Sequence, residues 1–183
     1  MLLEKVAKSV HALGSAVNQD GRSASFMAPH GGAQESVIQC ALAAATSHGL
    51  HSNAHVHGSE AHGTGTALGD PIEVGSLGRV FGAETRMSLG CAKSNIGHPE
   101  LAAGILQVIK TVLVLWSTTL IGNLHLRELN PKIAIEAFPA LLPSQIGSGI
   151  VHQCVGVSSF GASGTNSHAV FASDLQRAAA QTH

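Results

Sequence analysis

Two short stretches bring reactive side chains together with the small residues that let substrate backbone approach. "EAHGTGT" at 60–66 sets His62 among Gly63, Thr64, Gly65 and Thr66, and "KSNIGH" at 93–98 sets Lys93 and His98 around another glycine. A neutral imidazole can donate its N–H to a carbonyl oxygen and stabilise the negative charge that develops there. Both histidines fall at expected strand-to-helix junctions, and a helix N-terminus disfavours imidazolium. Lys93 would lower nearby histidine pKa values further and could pair with Glu73 or Glu60. On spacing alone the same two histidines would equally serve as buried structural residues. A nucleophile for them to assist is harder to find. The three cysteines are Cys40, Cys91 and Cys154. Cys40 is expected mid-helix and the other two within strands, so all three read as small core residues. None is expected at a sharp turn or helix N-terminus where a thiolate is stabilised.

Other chemistry fits less well. "HGTGTALGD" has Gly63, Gly65 and Gly69 spaced G-x-G-x-x-x-G, not the dinucleotide spacing G-x-G-x-x-G, and no P-loop lysine follows. His51, His55 and His57 cluster in "HSNAHVH", and on a strand His55 and His57 would share a face. No third ligand is spaced to help them, so the cluster reads as surface and no metal or bound cofactor is expected.

The elements that must hold these residues alternate in type. Residues 11–17 read as a strand before the turn "NQDG", and 31–49 as a helix with Val37, Ile38, Ala41, Leu42 and Ala45 on one stripe. Residues 55–61 are a weak strand. Over 69–82 a helix is expected, with Asp70 as cap, Pro71 at its first position and Glu73 completing a capping box. A strand over 87–92, a helix over 100–120, a loop over 122–131 and two strands over 152–160 and 166–173 complete an α/β layout with a mixed sheet. The helix over 100–120 is apolar enough to suggest a membrane span. Gln107 and Lys110 fall at its middle, so it reads instead as a helix buried on most sides in a layered core.

Bulk composition narrows the partners. The formal charge is -1 and charged residues make up 11% of the chain, against about 25% for soluble domains. No basic excess points to nucleic acid. With 21 glycines, no tyrosine and few charges, the chain packs its backbone closely and is expected to be covered by something else. An odd, sparse set of cysteines argues for reduced thiols inside the cell, in cytoplasm or plastid. The opening residues lack the apolar run of a secretory signal.

The ordered stretches "GSAVNQDGRSASFMAPHGGAQ", "EAHGTGTALGDPIEVGSL", "KSNIGHPELAAGILQVIK", "NLHLRELNP" and "GVSSFGASGTNSHAV" resemble the C-terminal half of a β-ketoacyl synthase, the ketosynthase domain of a modular polyketide synthase. The resemblance covers the chain from about Gly14 to Phe171, giving a lead-in over 1–13, the domain over 14–173 and a tail over 174–183. It implies a thiolase-like α/β fold, of which this chain supplies the C-terminal half only, a mixed sheet packed between helices. The implied chemistry is condensation of acyl and malonyl thioesters delivered on the phosphopantetheine arm of an acyl carrier protein. By that resemblance His62 and His98 are the two histidines of the site and Lys93 supports them. Thr64 and Thr66 hold the phosphopantetheine arm. The loop at 160–163, with Phe160 and Ala162, supplies the oxyanion-hole N–H.

The chain also departs from the family. The nucleophile motif, a cysteine followed by serine, does not occur in these 183 residues. Ala162 stands where the family has a gating Phe, His30 where it has Asn, Pro99 where it has Leu and Ser167 where it has Ala. Two readings follow: one part of a working ketosynthase completed by an N-terminal half, or a non-catalytic subunit of a larger assembly. Both require a covering polypeptide. Leu101, Ile105, Val108, Ile109, Val112 and Leu115 would otherwise meet water, forgoing about 1.5–3 kcal/mol each.

Overall fold

The computed structural model describes residues 9–22, 28–138, 140–148 and 153–174. Parts of the expected lead-in and tail, the stretch 23–27 of the first motif and the expected strand start at 152 lie outside them. A five-stranded mixed sheet runs β1 (Val10–Gln19), β7 (Thr165–Ser173), β6 (Cys154–Phe160), β2 (Gly58–Glu60) and β3 (Ser88–Gly90). The pairs β1–β7 and β7–β6 are antiparallel, and β6–β2 and β2–β3 are parallel. A two-stranded ladder, β4 (Thr119–Leu120) with β5 (Gly147–Ser148), stands apart. The α/β layout and mixed sheet agree with the sequence reading. β1 begins before the expected domain start at 14, and β2 is shorter than the expected 55–61, because a 3-10 turn, Asn53–His55, takes His55 and the strand begins only at Gly58.

Period-two alternation along β6 and β7 assigns the two faces. Cys154, Val170 and Ala172 join Leu13 and the stripe Val37, Ile38, Ala41, Leu42 and Ala45 of helix α1 (Gly31–Thr46) in one core. Strand β1 can lie flat against that helix because residue 14 is glycine. A Cβ there would stand 2.4 Å from both Ala41 O and Ala45 N. His30 opens α1, its ring Nδ1 accepting the Ala33 N–H at 3.0 Å, so the imidazole does the capping the expected Asn would do. Helix α2 (Gly69–Phe81) packs beside α1 and adds Val74, Leu77 and Phe81.

Helix α4 (Ala103–Ser117) takes the other face, close enough that a Cβ on Gly104 would touch Ser159 Oγ at 3.1 Å. Here the structure corrects the expectation of a helix buried on most sides. The face turned to the sheet carries Ala103, Gln107, Thr111, Val114 and Leu115. The face turned away carries Ile105, Ile109, Leu113 and Trp116, continued by Leu101 in the preceding 3-10 turn Glu100–Ala102, each at least 48% exposed. Of the six residues expected to meet water, Leu115 is buried and Val108 and Val112 are half-buried, while Leu113 and Trp116 join the outer stripe. The stretch Glu100–Ser117 has the length and composition of a membrane span. Its polar residues are nevertheless tied to the sheet. Gln107 Nε2 donates to Ser158 O at 3.0 Å, and Lys110 Nζ stands 2.8 Å from Glu60 Oε2.

Candidate functional site

The loop after β2 is held from behind by a carboxylate. Glu73, fully buried on α2, accepts the N–H of His62 at 2.7 Å and that of Gly63 at 2.9 Å. Burial pushes its pKa up to about 7, against the lowering effect of those two backbone donors. The capping-box expectation is therefore corrected: Glu73 reaches past its own helix start to the histidine loop. Asp70 likewise does not cap α2 but accepts from Gly65 N–H at 3.0 Å, and the Thr66 hydroxyl takes the Gly69 N–H at 3.0 Å. Gly63 has φ +50 and would drive a Cβ to 2.6 Å from Cys91 Sγ, so a side chain there is both strained and blocked.

The second motif forms a single turn, α3 (Lys93–Ile96), too short for periodicity to reveal. Lys93 Nζ donates to the His62 carbonyl oxygen and stands 3.4 Å from His62 Nδ1. The expected pairing of Lys93 with Glu60 or Glu73 is thus corrected: Glu60 is taken by Lys110 and Glu73 by the loop amides. His98 is exposed and its Nδ1 accepts the Glu100 N–H at 2.9 Å. These contacts fix both rings in the same sense. With Nδ1 accepting, a neutral ring carries its proton on Nε2. Burial first, then the Lys93 ammonium and His98, push the His62 pKa down to about 4, so the ring is neutral at pH 7. The ring centroids of His62 and His98 lie 5.8 Å apart, edge to face, and the Phe160 ring lies 5.9 Å from His62.

A cavity of about 910 Å³ opens over these rings, lined by His62, His98, Thr64, Thr66, Phe160 and Ala162 among others. Six of the seven residues singled out from sequence therefore meet in one wall. Lys93 lies behind it, on a second cavity of about 520 Å³ that also touches Thr64 and His98. The Thr64 and Thr66 hydroxyls are 3.1 Å apart at the rim. In the turn after β6, Gly161 N–H goes to Thr165 O and Gly164 N–H to Gly161 O. Neither bond uses the Ala162 N–H, and Ala162 is exposed.

Several positions differ from the sequence reading. Cys40 is exposed on α1, not a core residue, and Cys91 lies just past the end of β3. Cys91 donates its S–H to Gly63 O at 3.2 Å, and burial raises its pKa. Cys154 is buried as expected, and burial pushes its thiol up to about 12. His55 and His57 do not share a strand face, since the 3-10 turn ends at His55. Among the described residues no three His, Cys, Asp or Glu side chains converge as metal ligands. Asn123 escaped the sequence reading because its role depends on tertiary contact. Its buried amide accepts from Cys91 N–H at 2.8 Å and donates to Leu89 O at 2.9 Å, strapping the strand end that leads to Lys93.

Comparison with known proteins bears on this geometry. The family described as "Beta-ketoacyl synthase, C-terminal domain" matches residues 10–127. The chain is 46% identical over 164 residues to Erythronolide synthase EryA2 of Saccharopolyspora erythraea, covering 86% of this chain and 4% of that protein. It is 43% identical over 168 residues to Mycoketide-CoA synthase of Mycobacterium tuberculosis, with 86% and 4% covered. Among solved structures, the oxazolomycin ketosynthase domain OzmH KS7 of Streptomyces albus JA3453 superposes with a TM-score of 0.82 at 35% identity, covering 90% of this chain and 29% of that one. The ketosynthase from module 6 of the bacillaene synthase of Bacillus subtilis 168 gives 0.79 at 32% identity, covering 88% and 30%. The chain thus spans under a third of these ketosynthase structures and a small fraction of the curated relatives. It belongs to the β-ketoacyl synthase C-terminal domain family, and is the thiolase-like C-terminal ketosynthase half of the modular polyketide synthase type.

Proposed function

We propose that this chain supplies the histidine side of a ketosynthase site that performs decarboxylative Claisen condensation. The observation that carries this reading is the pair of rings His62 and His98, both with Nδ1 engaged and both in the wall of one large cavity. A malonyl thioester on the phosphopantetheine arm of an acyl carrier protein enters past Thr64 and Thr66. Its C–CO2 bond breaks, carbon dioxide leaves, and the electron pair passes into the thioester enolate. The Nε2–H groups of His62 and His98 stabilise that enolate oxygen. The enolate carbon then attacks an acyl thioester held on a cysteine of a companion N-terminal ketosynthase half, inside the cell. The Ala162 N–H receives the resulting oxyanion until the thiolate leaves. Burial, with the Lys93 ammonium beside the ring, keeps His62 uncharged throughout.

The companion polypeptide covers the outer stripe of α4 in the same reading. A second reading, a non-catalytic assembly subunit, draws on Ala162, whose methyl group is too small to gate the cavity as the expected Phe would. Both are tested by co-expressing the chain with an N-terminal ketosynthase half that carries the Cys-Ser motif. Carbon dioxide release from radiolabelled malonyl-acyl carrier protein is then measured. Release that falls about 100–1,000-fold in His62→Ala or His98→Ala supports the catalytic role. A folded complex that releases no carbon dioxide above background, or whose release ignores both substitutions, supports the assembly subunit instead.

A further inference from the structure

We propose that Glu60 and Lys110 are positioning residues for the histidine site: together they fix the turn that presses Lys93 against His62. This rests on the reading above for what His62 does, but not for how it is held.

Glu60 ends β2 and is buried. Its two oxygens do different things. Oε2 stands 2.8 Å from Lys110 Nζ on α4. Oε1 accepts the backbone N–H of Ala92. Ala92 is the residue before α3, and α3 begins with Lys93. A four-residue turn cannot hold itself, because one hydrogen bond does not offset the ordering of its first residues. α3 has no side-chain cap of the usual kind, since Ala92 has none to offer. The carboxylate of Glu60 takes over that task from a neighbouring strand. A charged acceptor makes the stronger bond, and Lys110 is what favours the charge at a site where burial opposes it. Residue 90 packs closely under the pair: a Cβ there would stand 3.0 Å from Glu60 Oε2 and 3.3 Å from Lys110 Nζ, tight contacts that glycine avoids. The connection therefore runs from α4 through Lys110, Glu60 and Ala92 to Lys93, and from Lys93 Nζ to His62.

The consequence is electrostatic. Lys93 is a principal charge acting on the His62 ring, after burial itself, with His98 next. Removing an anion near a histidine would, alone, lower its pKa. Removing Glu60 as a support has the opposite sign, because it lets the Lys93 ammonium move away. The two roles are thus separable by direction.

The test is an NMR titration of the His62 ring in the 183-residue chain bound to a covering N-terminal ketosynthase half, and it needs no substrate. In Glu60→Ala, the His62 pKa is expected to rise by about one unit or more toward its ordinary value. In Glu60→Gln, which keeps a carbonyl to accept from Ala92, it is expected to stay near the starting value. Glu60→Ala leaves Lys110 buried and unpaired and could prevent folding. Glu60→Ala combined with Lys110→Met removes both charges along with the acceptor, and the same rise is expected there. In Lys110→Met alone, amide exchange at Ala92 and Lys93 is expected to quicken about tenfold while that of α1 stays unchanged. A His62 pKa that holds or falls in folded variants lacking the acceptor would overturn the proposal. So would a Glu60→Gln shift as large as that of Glu60→Ala. Either failure leaves the ketosynthase reading intact, because the condensation assay does not depend on it.

Discussion

The two faces of the central sheet are built on opposite principles. Under α1, apolar residues point inward and seal a core with Val37, Ile38, Ala41 and Ala45 at 0% exposure. Under α4, the polar residues point inward. Gln107 bonds to the carbonyls of Ala61 and Ser158, and Lys110 pairs with Glu60; Val114 and Leu115 are buried beside them, while Ile105, Ile109, Leu113 and Trp116 point away. The α1 face thus serves stability and needs nothing further. The α4 face serves the site, since its polar contacts reach the backbone around His62. It leaves its apolar stripe for something else to cover.

The largest effect that would test this contrast lies in the sealed core. Ile38→Ala should cost about 2–5 kcal/mol, read as a lower urea midpoint, because the cavity it opens has no neighbour free to fill it. A cost below about 1 kcal/mol would mean that the α1 face is not the closed core described. An intermediate effect involves His168, buried on the same face with Nδ1 3.0 Å from Ser158 Oγ. Burial pushes its pKa from 6.5 down to about 4. The unfolded chain therefore binds a proton in that interval that the folded chain refuses. Its contribution to stability is complete above about pH 6.5 and is lost as pH falls toward 4. The stability gap between the wild-type chain and His168→Asn should narrow with falling pH by about 1.4 kcal/mol per unit. A gap that does not change with pH would show the ring to be solvated. The smallest effect belongs to the outer stripe: Ile109→Ser should change the chain's own stability by no more than about 0.5 kcal/mol. The same substitution should weaken capture by a companion half in a pull-down. Destabilisation comparable to Ile38→Ala would erase the difference between the faces.

Much of this was legible in the sequence, for reasons that particular residues make plain. The stripe Val37, Ile38, Ala41, Leu42, Ala45 predicts the inner face of α1 because there the apolar face is also the buried face. The same logic misleads at α4. Gln107, Lys110, Thr111 and Val114 share one side of the helix, and only tertiary contact reveals that this mixed side faces the sheet. His62, His98, Thr64, Thr66, Phe160 and Ala162 were singled out together from ordered motifs, and they meet around one cavity. Their supports were not legible. Glu73 looked like a helix cap, Glu60 looked like a partner for Lys93, and Asn123 looked like loop. Each acts across 10 or more residues of sequence on backbone groups, which leave no pattern in side-chain spacing. The one-turn α3 and the two-residue strands β4 and β5 are too short to show a period.

The bare stripe on α4 also has a thermal consequence. Water released when greasy surfaces meet contributes entropy near room temperature, and that gain weakens on cooling. Whatever closes over Leu101, Ile105, Ile109, Leu113 and Trp116 should therefore grip more firmly in warm solution than in cold. Chilled preparations are where the joined assembly would most readily come apart.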